Sequence, residues 1–212
     1  MKLTVFGATG GIGQEIVRQA LAAGHEVTAV VRDPARLPVT GAGAGLEVFR
    51  ADLTDPEAVR TAVAGRDAVL SGLGARTRKD AGITARLTRT VLRAMEAEGT
   101  RRLLVVSAAP LGPAAPEDGP LDRTMHAVVS KVLKSVYDDL REMEAELACS
   151  SVEWTSVRPP RLQDKPLGGA YRTVIGGTPP RGRFIGRADV AHAMLAMTQD
   201  ARTVKQDVGV AY

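Results

Sequence analysis

Residues 6–20 read FGATGGIGQEIVRQA, and three of them form Gly7-x-x-Gly10-x-x-Gly13. What flanks this stretch decides what its glycines mean. KLTVF at 2–6 has the apolar run of a buried strand. GIGQEIVRQALAAG at 11–24 carries Ile12, Ile16, Val17, Ala20 and Leu21 at helical spacing and stops on Gly24. EVTAVVR at 26–32 reads as a second strand. The glycines therefore occupy the turn of a strand–helix–strand unit.

The same alternation continues outward. Strands are expected at 46–52, 67–74, 101–109 and 151–160. Helices are expected from Pro56 to about Val63, at 83–99, at 126–150 and at 187–200, with a hairpin near Gly176-Gly177. Thr54-Asp55-Pro56-Glu57 opens the second helix with a cap, a proline in the first turn and an early acid. Alternating helices and near-continuous apolar strands predict an α/β fold. It is a Rossmann-type doubly wound parallel sheet, order 3-2-1-4-5-6, with helices on both faces. The 212 residues fit one domain, 1–212, with acceptor-side loops at 76–83, 109–125 and 158–186.

Composition narrows the function classes. Hydrophobic residues are 44% and charged residues 25% of the chain, an ordinary globular balance, while aromatics at 3% leave an aliphatic core. The one cysteine, Cys149, excludes an internal disulfide framework and is expected as a small buried or half-buried thiol. Without a leader pattern or an 18-residue apolar run, the expectation is a soluble, cytoplasmic protein with no membrane partner. The net charge of +4 comes from dispersed arginines without interleaved aromatics, so no nucleic-acid partner is expected. His25, His126 and His192 have no metal-ligand spacing, and no metal is proposed.

In a βαβ unit the glycine turn becomes a dinucleotide signal. Gly7 permits the tight turn, Gly10 lets backbone approach a pyrophosphate, and Gly13 lets the helix pack on the sheet. The phosphates would sit on free amides at the helix N-terminus, with the Thr9 hydroxyl in reach. Gly13 is followed by Gln14, so this is not a Walker A loop. Arg32 ends the second strand and Arg36 follows one turn later; planar guanidiniums suit a ribose 2′-phosphate, which points to NADPH. Asp52 either accepts from the adenine amino group or caps the turn before Thr54. Gly72-Leu73-Gly74 offers close approach to a ribose.

The carboxyl edge of the strands, where ligands of such sheets bind, carries Arg76, Ser107, Arg158, Pro159, Pro160 and Arg161. The GxxGxxG spacing resembles the short-chain dehydrogenase/reductase superfamily. Its proton-donating Tyr-x-x-x-Lys couple is missing, however. Tyr137 is followed four residues later by Arg141, which cannot relay a proton, so Tyr137 is expected to be a packing residue.

VFGATG, VTAVVRDPARLP, VAGRDAVLSGLG and, most specifically, RPPRLQDKPLGGAY resemble the biliverdin reductase B (NADPH-dependent flavin reductase) family over nearly the whole length. The resemblance implies a monomer that transfers hydride from NADPH to a flavin or a linear tetrapyrrole. It implies cofactor contacts at Gly7, Thr9, Gly10, Gly11, Ile12, Arg32, Arg36, Asp52, Leu53, Gly74 and Arg76. Ser107 would be the active-site serine, and Pro159 and Pro160 would flank the nicotinamide. Where the family has histidines, after Pro-Pro and on the long helix, this chain has Arg161 and Leu140. Arg161, with Arg76, Arg78, Lys79 and Lys165, offers an anion-attracting rim. Two other readings stay open: a pathway-specific reductase or epimerase of another conjugated small molecule, and a non-catalytic NADP sensor of the NmrA type.

Overall fold

The computed structural model describes residues 1–38, 45–74, 82–112 and 133–212. The expected sheet is there and is two strands wider. Its order is β3-β2-β1-β4-β5-β6-β10-β8. The six strands on which the order 3-2-1-4-5-6 rests are β1 (Lys2–Phe6), β2 (Glu26–Val31), β3 (Leu46–Arg50), β4 (Ala68–Ser71), β5 (Arg102–Val106) and β6 (Glu153–Arg158), all parallel. β10 (Gln206–Ala211) adds to β6 in parallel, and β8 (Arg172–Ile175) closes that edge antiparallel to β10.

Helices cover both faces. α1 (Gly11–Ala22) and α5 (Arg187–Met197) pack together on one side, over an aliphatic core that includes Leu3, Val5, Ile16, Val17 and Met194. α2 (Pro56–Val63), α3 (Ile83–Glu98) and α4 (Lys134–Cys149) cover the other, over Phe6, Val69, Met95, Leu103, Met143 and Leu147. Strands buried on both faces are why their sequences read as unbroken apolar runs.

Two helix starts show how local and long-range capping differ. Asp55 caps α2 locally, accepting from the Glu57 and Ala58 amides, with Pro56 at the first helical position. α3 starts after Gly82, whose left-handed backbone supplies no side-chain cap. Its cap comes instead from buried Asp139 of α4, which accepts from the Thr84 and Ala85 amides at 3.1 and 2.9 Å.

Two expectations need correction. The chain does turn at Gly176, where φ is +71°, but no two-stranded hairpin forms. The Gly176 amide donates to Asp207 of β10, and β8 pairs with β10. Pro179 and Pro180 then lack the amides a returning strand needs. The segment leads instead to β9 (Phe184–Gly186), which pairs in parallel with β7 (Arg161–Gln163). Cys149, at the end of α4, is exposed rather than buried.

Among the described residues no helix is long and apolar enough to cross a membrane, and no group of three or more His, Cys, Asp or Glu could hold a metal.

Candidate functional site

The glycine turn is built by mutual exclusion of side chains. Gly7 has φ of +71°, which favours glycine, and a β-carbon on it would lie 2.7 Å from the Gly72 carbonyl. A β-carbon on Gly13 would overlap the Gly7 carbonyl oxygen and lie 2.7 Å from its carbon. One on Gly72 would lie 3.1 Å from the Gly13 amide nitrogen. Gly7, Gly13 and Gly72 thus interlock where the β1–α1 turn crosses the end of β4. Gly72 serves this crossing, whereas Gly74 has open space where a side chain would stand. Leu73 packs at the margin of the core.

Gly10 donates its amide to Gly7 O at 2.8 Å and becomes the N-cap of α1, in extended backbone and without a capping side chain. No acidic residue lies in the first turn. The positive end of the helix therefore faces outward with no carboxylate of its own, an arrangement that suits an anion. Ile12 is buried behind the turn.

Beside the turn, Thr9, Arg32, Asp33 and Arg36 line a cleft of about 300 Å³. Asp33 accepts from the Ala35 amide at 3.1 Å and so caps the short 3₁₀ helix Pro34–Arg36, which brings Arg36 back toward Arg32. Asp52 accepts from the Thr54 amide at 2.9 Å and so caps that turn. That bond holds its carboxyl below the usual carboxylate range, with Arg32 and Arg86 adding to the effect. The Leu53 side chain is buried, so only its backbone faces outward. Arg76, Arg78 and Lys79 lie outside the described residues.

At the carboxyl edge, Ser107 donates its amide to Val157 O and Ala109 donates to Pro159 O, so the ends of β5 and β6 are stitched together. This brings Ser107 beside the Pro159-Pro160 corner. Ser107 is 6% exposed and its hydroxyl has no partner among the described residues. A buried hydroxyl left unbonded costs stability, and Ser107 shares this state with several buried polar atoms elsewhere in the fold. Thr178 Oγ1 and Gln163 Oε1 are likewise buried and unpartnered among the described residues.

Arg158 does not face this edge as a free cation. It forms a two-pronged pair with Glu144, at 2.9 and 2.7 Å, and a further pair with Asp207 at 3.0 Å, while Ser156 donates to the same Glu144. It ties β6 to α4 and β10. Arg161 is exposed on β7, and no hydrogen bond or ion pair joins it to Ser107 among the described residues. Lys165 stacks over the Phe184 and Tyr212 rings. Tyr137 is buried in the apolar cluster of α4, and burial pushes its hydroxyl pKa up, away from the range of a working acid.

Two residues that pattern reading passed over organise the acceptor-side segment. Asp189, fully buried in the first turn of α5, accepts from the Gly168 and Gly169 amides and from the Tyr212 hydroxyl. Arg187 pairs with Asp164 at 2.6 Å and lies against Gly11. The only sequence signal for either was the start of a helix, GRADVA at 186–191.

A family model described as NAD(P)H-binding matches residues 7–201. Among curated proteins, the 3-diazoavenalumate denitrifying reductase of a Streptomyces species is 39% identical over 138 residues, 57% of this chain and 44% of that protein. The chain thus spans less than half the length of the curated relatives it matches. Among solved structures, a wide-type short-chain dehydrogenase/reductase from Veillonella parvula in complex with NADP has a TM-score of 0.83 at 19% identity, covering 100% of this chain and 94% of that one. A Streptococcus pneumoniae protein provisionally described as an NADH-flavin reductase has a TM-score of 0.80 at 23% identity, covering 100% and 99%. These two likenesses speak to the fold.

Proposed function

The chain belongs to the NAD(P)H-binding family, and from that premise we propose that it is an NADPH-dependent reductase of a planar, conjugated small molecule, a flavin or a linear tetrapyrrole. The observation that carries the cofactor choice is the cleft of Thr9, Arg32, Asp33 and Arg36 beside the glycine turn. Two guanidiniums there match a phosphate dianion, and the neighbouring Asp33 is committed to its own turn. The NADP bound to the Veillonella protein runs in the same direction for the cofactor, while the Streptococcus protein, described as an NADH-flavin reductase, and the Streptomyces reductase support reductase character alone.

When bound, the reduced nicotinamide supplies the hydride. The chain's own residues bind, orient and shield. The first turn of α1 takes the pyrophosphate, Arg32 and Arg36 take the 2′-phosphate, and Pro159 and Pro160 wall the acceptor site. Ser107 offers a hydroxyl to whichever carbonyl or amide comes within reach. The Streptomyces relative favours a second reading, a reductase dedicated to another conjugated acceptor of one pathway. In either reading the protein is taken to be a cytoplasmic monomer with a small-molecule partner.

The deciding experiment is NADPH oxidation in the presence of FMN or biliverdin, followed by nicotinamide absorbance. Turnover with neither acceptor, alongside tight NADPH binding, would leave the second reductase or the non-catalytic sensor. Two further results are expected. Arg32→Ala weakens NADPH roughly 10- to 100-fold and leaves NADH nearly unchanged, since a hydrogen bond to a charged group is worth about 1.5–3 kcal/mol. Equal binding of NADH and NADPH by the unmodified protein would remove Arg32 from this role.

The second result concerns the proton. An isolated ketone needs a positioned acid, worth about 10²–10⁴-fold, whereas a conjugated acceptor spreads the incoming charge and takes its proton from water. Simple ketones should therefore give negligible turnover. Ser107→Ala should slow flavin or bilin reduction about tenfold, as for one lost orienting bond. Tyr137→Phe should change little. Rapid ketone reduction abolished by Tyr137→Phe would show that the tyrosine works as an acid.

A further inference from the structure

The first turn of α5 delivers a cation to the glycine turn. Arg187, the first residue of α5, lays its side chain across Gly11, the first residue of α1. A β-carbon on Gly11 would lie 2.6 Å from Arg187 Cδ, 2.9 Å from Nε and 3.9 Å from Cζ. Gly11 therefore leaves the room that the arginine occupies, and the guanidinium sits beside the N-terminus of α1.

Three consecutive residues hold it there. Arg187 Nη1 donates to Asp164 Oδ1 at 2.6 Å. Ala188 O accepts from the buried Gln19 side chain of α1 at 2.9 Å, which pins the two helices at this level. Asp189 anchors the Gly168-Gly169 amides, which fixes the segment that carries Asp164. A cation at the positive end of a helix is electrostatically unfavourable unless an anion joins both. Its partner in the structure, Asp164, is 90% exposed and so offers little compensation.

We propose that Arg187 is a further cofactor-binding residue, whose guanidinium contacts the pyrophosphate of the dinucleotide from the α5 side while Asp164 keeps it aimed. This rests on the dinucleotide reading above. It gives the arginines separable tasks. The 2′-phosphate at Arg32 exists only in NADPH, but the pyrophosphate is common to NADPH and NADH.

The test is calorimetric titration of the full chain with NADPH, NADH and 2′-AMP, which has the phosphorylated ribose and no pyrophosphate. Arg187→Gln keeps the stem over Gly11 and loses the charge. It should raise Kd for NADPH and for NADH by about tenfold each, as for one charge-assisted contact. It should leave 2′-AMP unchanged. Arg187→Lys should recover part of the loss. The proposal falls if both dinucleotides bind Arg187→Gln within about twofold of the unmodified protein, if 2′-AMP weakens in parallel, or if lysine recovers nothing. An unmodified protein that binds neither dinucleotide would instead overturn the cofactor reading, and this inference with it.

Discussion

Gly13→Ala is expected to raise the Kd for NADPH by at least about 100-fold, with folding stability falling by about 3 kcal/mol. The added carbon would overlap the Gly7 carbonyl oxygen and press on the Gly7 carbonyl carbon and the Ala8 α-carbon at 2.7 and 2.9 Å. All three are backbone atoms in a turn already closed by the Gly10-to-Gly7 hydrogen bond. A side chain can swing aside, but here either α1 lifts from the sheet or the turn opens. Overpacking of this kind costs about 1–3 kcal/mol, and more where backbone must move. Movement of the turn also displaces the amides that would face the pyrophosphate, so binding suffers beyond stability. Gly74→Ala is the control, because no described residue lies within 4 Å of its added carbon. It should alter the melting temperature very little. A Gly13→Ala protein with near-normal melting and NADPH affinity would show that the turn is not the rigid cradle described here.

The parts of this molecule that could be read in its sequence are those with short-range physical causes. The strand, the glycine turn and the helix of 2–24 are contiguous, so their periodicities and stop signals specify them directly. Arg32 and Arg36 were legible because a strand end and a 3₁₀ turn place nearby residues in one cleft. What stayed hidden depends on residues far apart in the chain. QDVGVA at 206–211 is too short to announce itself, and only pairing with β6 makes it a strand. Asp139 reads as one acid among several on a polar helix, yet it is 3% exposed and caps α3. Arg158 reads as a cation at the ligand edge until Glu144 and Asp207 are seen to bind it. Arg187 meets Gly11 only because α1 and α5 lie side by side. Asp52 caps the turn before Thr54 through one bond, an arrangement that an exposed carboxylate can combine with a contact to adenine.

Arg102 is another residue whose role the strand pattern conceals, and its removal is expected to be the most destabilising single change away from the cofactor site. It is 6% exposed on β5 and makes hydrogen bonds to Met197 O and Thr198 O at the end of α5, to Glu153 O, and to the Thr155 and Thr203 hydroxyls. Burial lowers its pKa, opposed by the more distant Glu153 and Asp200. The negative end of α5 and the ring of oxygens stabilise the charge in place of a direct ion pair. Arg102→Met fills much of the volume but leaves the buried Met197 carbonyl and the partly buried Thr198 and Glu153 carbonyls without this donor, and a buried group left unsatisfied costs about 1–3 kcal/mol. Partial relaxation brings the expected loss to about 3–5 kcal/mol, read from urea unfolding with an unchanged slope. Arg102→Lys should recover only part, since one ammonium cannot span both the helix end and β6. Arg102 lies at the end of α5 opposite Arg187, about 16 Å away by helical rise. The folded Arg102→Met protein should therefore bind NADPH almost normally. Stability within about 1 kcal/mol of the unmodified protein would mean that water or the two threonines replace the guanidinium; a large loss of NADPH affinity would mean that the two ends of α5 are coupled.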